Sequence, residues 1–239
     1  EPQIDLGQLI GWKDKVVGQL TGGLSALAKQ RKVEVVEGYG TFASPTQLRV
    51  NSASGQTEID FKYAIVAAGS EPVQLPGFPN DDPRLIDSTG ALSLTQVPNR
   101  MLVIGGGIIG LEMATVYMEL GAEVTVVELL DGLMVGADRD LVKPLEKRLK
   151  KRLAGVYTGT RVTQVEATPE ALIAHFDGGS APASAPYDVV LVAVGRQANG
   201  ARIGLDSTGV AVDERGFVAV DRHQRTNVEH IFAIGDIVG

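Results

Sequence analysis

Apolar residues at Leu6, Leu9, Ile10, Val16, Val17, Leu20, Leu24 and Leu27 share one helical stripe behind the capping candidate Asp5, predicting a long amphipathic helix with a core-facing side. The period then shortens. Residues 32–37 alternate toward a strand, and residues 48–50 and 59–61 flank Ser54-Gly55 as the arms of a hairpin. Residues 64–68, closed by Gly69, are apolar throughout, as expected of a buried parallel strand. Five of the chain's 11 prolines fall between Pro72 and Pro98, a density that favours extended connection and marks a domain boundary. Beyond it the pattern reads strand (101–104), helix (108–120), strand (123–128) and a second helix from about Asp138, with Leu141, Leu145, Leu149 and Leu153 on one face. This βαβα order predicts a parallel sheet. Pro144 inside the second helix implies a later start or a kink. Residues 161–176 predict short antiparallel strands, 189–194 another buried parallel strand, 210–220 a hairpin turning at 213–216, and 231–234 a last strand.

Composition narrows the class. A chain of 239 residues with 44% hydrophobic content can bury a substantial core, and 29 glycines against 5% aromatics suit an α/β protein with tight strand-to-helix turns. The formal charge of −7 excludes a sequence-independent grip on nucleic acid, which needs surplus Lys and Arg, so small molecules or proteins are the expected partners. No signal-peptide pattern or membrane-length apolar run is present, so no membrane association and a cytoplasmic (cytosolic or matrix) location are expected. The chain has no cysteine and therefore supplies no disulfide, thiolate nucleophile or cysteine-ligated metal. His175, His223 and His230 are too scattered to suggest metal ligands, and the run Lys147, Arg148, Lys150, Lys151 and Arg152 reads as cations at a helix C-terminus.

The chemistry concentrates in MLVIGGGIIGLE, where Gly105, Gly107 and Gly110 have the spacing G-x-G-x-x-G between a strand and a helix. The first glycine permits the turn, the second lets backbone approach a pyrophosphate, and the third allows close helix-to-strand packing. Gly106, Ile108 and Ile109 complete the backbone that phosphates would meet at the positive helix end. Glu128 closes the next strand 23 residues after Gly105, close to the ~20 expected of the carboxylate that accepts the adenosine ribose hydroxyls. With Leu129, Leu130 and Asp131 following, no cation balances a 2′-phosphate, which favours NAD over NADP. Glu112, early in the helix, is explained equally by the preference of first turns for carboxylates.

The segments IGGGIIGLEMATVY, AIVAAGSEPVQLPG, DDPRLIDSTGAL, VVLVAVGRQANG and TNVEHIFAIGDIVG, in that family's motifs over essentially the whole chain, resemble the dihydrolipoamide dehydrogenase family of pyridine nucleotide-disulfide oxidoreductases, bacterial type. The resemblance implies a Rossmann-like parallel sheet with a βββ meander, inserted between pieces of a second, FAD-type α/β domain. Residues 1–95 and 222–239 would be FAD-domain pieces and 96–221 the NAD domain. It also implies that Asp236 bonds the flavin ribityl chain, Gly40 meets the FAD adenine, Val162 lies near the NAD adenine, Gly195 lies near the nicotinamide half, and Glu112 pairs with a flavin-side lysine absent from this chain. The implied reaction reoxidises dihydrolipoamide with NAD through FAD and a cysteine pair. The implied partners are NAD(H), FAD, a second copy in a homodimer, and the lipoyl-bearing acyltransferase of a 2-oxo acid dehydrogenase complex.

The FAD-binding glycine motif, the cysteine pair and the His-Glu acid/base couple of that family are missing, so the chain reads as an internal portion, inactive by itself. It also departs at Gln197-Ala198, where a proline usually precedes Asn199, and at Glu229, another usual proline position. Alternatives left open are another NADH-dependent flavoprotein, such as an NADH oxidase or mercuric reductase, and a non-catalytic NAD(H)-binding module.

Overall fold

Helix α1 (Leu6–Gln30) starts where the capping residue predicts: Asp5 Oδ1 accepts the Gln8 N–H at 3.0 Å. In the computed structural model, which describes residues 4–239, the chain forms two compact units. One comprises residues up to Lys15 with Pro72–Gly195, the other Val16–Glu71 with Arg196–Gly239.

Only the first turns of α1 find a core. Leu6 and Ile10 pack on the helical side of the first unit, and Lys13 Nζ donates to the Leu92 carbonyl at 3.0 Å. Further along, the stripe is bare, with Leu24 68% exposed. The expectation of a core-facing side along the whole helix is therefore corrected: the periodicity marks a face, but among the described residues nothing covers most of it. Residues 32–37 form no strand either, and Val33, Val35 and Val36 are exposed. An alternating pattern becomes a strand only when a neighbour takes up its backbone hydrogen bonds.

In the second unit, β1 (Tyr39–Ser44), β2 (Gln47–Ser52) and β3 (Gly55–Asp60) form an antiparallel sheet with Ser52 opposite Gly55, so the predicted hairpin forms. Strand β4 (Ala64–Val66) leads to β5 (Ser70–Pro72).

The first unit is built on a parallel sheet. It contains β6 (Leu85–Ile86), α2 (Ser88–Ser93), β7 (Arg100–Ile104), α3 (Ile108–Glu119), β8 (Glu123–Val127), α4 (Arg139–Leu149), β9 (Gly155–Tyr157), the meander β10 (Thr160–Ala167), β11 (Leu172–Gly178) and β12 (Ser184–Tyr187), and β13 (Val189–Val192). Its sheet order is β6-β13-β7-β8-β9, with every pairing parallel. The period of two sorts the side chains. Met101, Val103, Val124, Val126 and Leu191 face a core with α3 and α4, whereas Leu102, Ile104, Val127, Val190 and Val192 face one shared with the meander. Burial on both faces explains why these strands read as unbroken apolar runs.

The short helix α2, capped by Asp87 Oδ1 on the Gly90 N–H at 2.9 Å, lies in the stretch whose proline density favours extended connection over helix. Helix α4 starts at Arg139 with Pro144 inside it, so the helix does not begin later. Its buried residues are Val142 and Leu149, while Leu141 is 71% exposed and Leu145 is also exposed, which corrects the expected leucine face. Its C-terminal cations sit as expected, with Lys150 pairing with Glu146 at 2.6 Å and Arg152 with Glu119 at 2.5 Å.

The chain completes the second unit with β14 (Arg196–Ala198), paired with β5, and β15 (Ile231–Ala233), paired in parallel with β4. The expected hairpin at 210–220 reduces to one bridge, Val212 with Val218, around a turn where Asp213 Oδ1 accepts the N–H groups of Arg215 and Phe217. A third core joins Val66, Leu205, Val218, Ile231, Ala233 and Ile237.

The two faces of α4 give a direct check. Urea denaturation should show Leu149→Ala losing about 2–5 kcal/mol of stability, with Leu141→Ala within about 0.5 kcal/mol of the parent. Equal losses would restore the leucine face.

Candidate dinucleotide site

Strand β7 ends at a three-way crossing of backbone. Gly105 has φ +112°, and a Cβ there would lie 2.3 Å from the Ala193 carbonyl oxygen beyond β13. A Cβ on Gly110 would lie 2.1 Å from the Gly105 carbonyl oxygen, so α3 approaches the strand closely only because this residue lacks one. Two hydrogen bonds lock the crossing: Gly105 N–H donates to Val127 O and Ala193 N–H to Ile104 O, both at 2.8 Å. Gly107 differs, because a Cβ there would meet nothing within 4 Å. It caps α3, whose first helical bond runs from Leu111 N–H to the Gly107 carbonyl at 3.0 Å. The N–H groups of Ile108, Ile109 and Gly110 thus have no acceptor within the helix.

Glu128 stands at the end of β8, where its backbone is fixed on both sides: its N–H donates to Tyr157 O at 2.8 Å and its carbonyl accepts the Thr160 N–H at 3.0 Å. Its side chain is held as well. Oε2 accepts the Gly106 N–H at 2.7 Å and Oε1 accepts the Leu130 N–H at 2.8 Å. Each oxygen keeps acceptor capacity for a hydroxyl after taking one N–H. The carboxylate and the glycine turn are therefore one assembly. Sequence spacing suggested their proximity but not this direct bond.

A third contributor escaped the sequence reading. The Met134 N–H donates to the Gly106 carbonyl at 2.9 Å, and the fully buried Leu133 lies so close that a Cβ on Gly106 would sit 2.5 Å from its Cδ2. A lone leucine in the glycine-flanked string DGLMVGAD carries no periodic signal.

The remaining expected site residues divide by unit. Val162 lies on β10, half-buried against the meander-side core and two residues past Thr160. Gly195, with φ +134° and open space at its Cβ position, follows Ala193 by two residues and accepts the Val73 N–H at 3.1 Å. Glu112 is exposed on α3. In the second unit, Gly40 lies on β1, where a Cβ would make ordinary contact with Leu48, so neither space nor backbone demands glycine. Asp236 is exposed in a short 3₁₀ turn, and its Oδ2 accepts the Ser70 hydroxyl at 2.8 Å with Arg196 Nε 3.9 Å away.

Among the described residues no helix is long and apolar enough to cross a membrane, and no cluster of three or more metal-ligating side chains occurs.

Comparison with known proteins agrees with this architecture. The chain is 52% identical over its whole length to dihydrolipoyl dehydrogenase of Vibrio cholerae and 49% identical to that of Haemophilus influenzae, in each case covering 50% of the relative. It thus spans about half the length of the curated relatives it matches. Among solved structures, a Cu(II) complex of the HOCl-induced flavoprotein disulfide reductase RclA from Escherichia coli superposes with a TM-score of 0.88 at 28% identity, over 96% of this chain and 52% of that one. A family model for pyridine nucleotide-disulphide oxidoreductase matches residues 2–239. Taken with the parallel sheet and its glycine crossing, these matches place the chain in the pyridine nucleotide-disulphide oxidoreductase family, whose members use FAD and NAD.

Proposed function

We propose that this chain supplies the NAD(H) site, and part of the FAD site, of a flavin-dependent dihydrolipoyl dehydrogenase. The observation that carries the reading is the pairing of an open Gly107 with a Glu128 carboxylate anchored to the adjoining turn. The residues fit the cofactor. The turn has room at Gly107, where a pyrophosphate would approach, the start of α3 offers backbone donors, and Glu128 offers acceptors to the adenosine ribose. Negative charge at Glu128, followed by Asp131, disfavours a 2′-phosphate and selects NAD over NADP. Val162 and Gly195 would flank the adenine and nicotinamide halves, and Glu112 would meet a flavin-side lysine. In the second unit, Asp236 has acceptor capacity left beside its Ser70 bond for a flavin ribityl hydroxyl, and backbone at Gly40 would meet the FAD adenine.

In this reading residues 96–221 form the NAD-binding domain and residues 1–95 and 222–239 belong to the FAD domain; the glycine turn and Glu128 both lie in the compact unit that includes Pro72–Gly195. FAD and NAD, when bound, supply the electron and hydride transfer, while the protein binds, orients and excludes water. The chain has no cysteine, so the thiol chemistry toward dihydrolipoamide would fall to residues outside it. Identity of 52% to named dihydrolipoyl dehydrogenases, against 28% to the RclA reductase, favours this member of the family over other flavoprotein reductases. The same reading includes a homodimer, a lipoyl-bearing acyltransferase partner and a cytoplasmic location.

NADH fluorescence titration of the purified chain tests the reading: saturable binding is expected, without lipoamide turnover, and no saturable change at millimolar NADH contradicts it. Glu128→Ala should weaken NADH by about 1–3 kcal/mol, and an unchanged affinity removes Glu128 from the site. Two glycines should separate fold from binding. Gly110→Ala should cost about 1–3 kcal/mol of stability by urea denaturation, whereas Gly107→Ala should fold normally and bind NADH at least about tenfold more weakly, because its methyl enters the phosphate space. Equal stability losses at the two positions would contradict this division.

A further inference from the structure

The segment between β8 and α4 does more than connect them. Its Leu133 is fully buried beneath Gly106, and the Met134 N–H holds the Gly106 carbonyl at 2.9 Å. Gly106 in turn donates its N–H to Glu128 Oε2 at 2.7 Å, and Leu130, at the start of the same segment, donates to Oε1 at 2.8 Å. The segment therefore grips both the glycine turn and the carboxylate. Met134 has φ +51°, a conformation unfavourable for a side-chain-bearing residue and retained only where neighbours impose it.

One side chain closes the segment. Arg139, the first residue of α4, donates from Nη1 to the Leu133 carbonyl at 2.7 Å, and its Nη2 lies 3.7 Å from Glu146 Oε2. The guanidinium also lies against Gly132, where a Cβ would come within 3.1 Å of Nη2. It thus ties the loop to the α4 helix through a planar group with two points of attachment.

We propose that Arg139 is a positioning residue for nucleotide selection: by holding the Leu133 carbonyl it fixes Gly106 and, through it, the Glu128 carboxylate that distinguishes a ribose hydroxyl from a 2′-phosphate. The inference rests on the NAD(H) site proposed above. Arg139 acts through two intermediates, Leu133 and Gly106. Without it Glu128 keeps its charge but loses its fixed orientation, which weakens the ribose bonds and lets the carboxylate swing from an added phosphate.

The discriminating readout is the ratio of NADPH to NADH dissociation constants. A purely structural role would lower the melting temperature or scale both affinities together, leaving the ratio in place. Arg139→Gln should remain folded and lower the ratio about tenfold, mainly by weakening NADH. Arg139→Lys, which keeps the charge and one donor but not the fork, should lower it about threefold and serves if the glutamine variant does not fold. In a Glu128→Ala background the same changes should leave the ratio unmoved, because the group being positioned is gone. A parental ratio in a folded Arg139 variant, or an equal fall in both backgrounds, overturns the proposal while leaving the NAD(H) site intact. Failure of the parent to bind NADH instead removes the underlying site reading.

Discussion

Close backbone approach at the end of β7 is the constraint on which the parallel-sheet unit depends. Gly105 and Gly110 allow the strand, the start of α3 and the tip of β13 to meet at distances that a single methyl group would prevent. That crossing aims the free N–H groups of α3 across Gly107, and it leaves space there rather than side chain. The two buried faces of the parallel sheet supply the rigid support. An anion site built this way uses backbone dipoles, which are ordered before any ligand arrives.

The second element is electrostatic. A carboxylate at the end of a strand could adopt several rotamers, and its charge alone would repel a phosphate poorly in water. Glu128 is instead fixed by two backbone donors, one from the glycine turn and one from the following segment. The glycine turn and the carboxylate are thereby joined through Gly106. The same arrangement explains why the β8–α4 connection, which the hydrophobic pattern leaves undefined, has a buried leucine at its centre.

Much of this was legible in the sequence, and for identifiable reasons. The β7-α3-β8 unit, β13 and the meander could be read because their strands are buried on known faces and bounded by glycine, so local pattern and tertiary environment agree. The glycine spacing was readable because Gly105 and Gly110 each have a steric task in the fold, and Glu128 because it closes the strand beside that turn. The exceptions share a cause, which is that hydrophobic pattern specifies a face but not its cover. In α1, Leu24 lies on the predicted stripe yet is exposed, and in α4 Val142 is buried where Leu141 was expected. Residues 32–37 alternate properly but have no partner strand. The roles of Leu133, Met134 and Arg139 depend on contacts made across a loop, and no periodicity encodes those.

A structure of the protein with NADH bound tests the central claim most directly. The expected result places the adenosine ribose oxygens within hydrogen-bonding distance of the Glu128 carboxylate and the pyrophosphate over Gly107, with the Gly106 bond to Glu128 retained. Nucleotide bound elsewhere, or a pyrophosphate held by side chains away from the glycine turn, would contradict it.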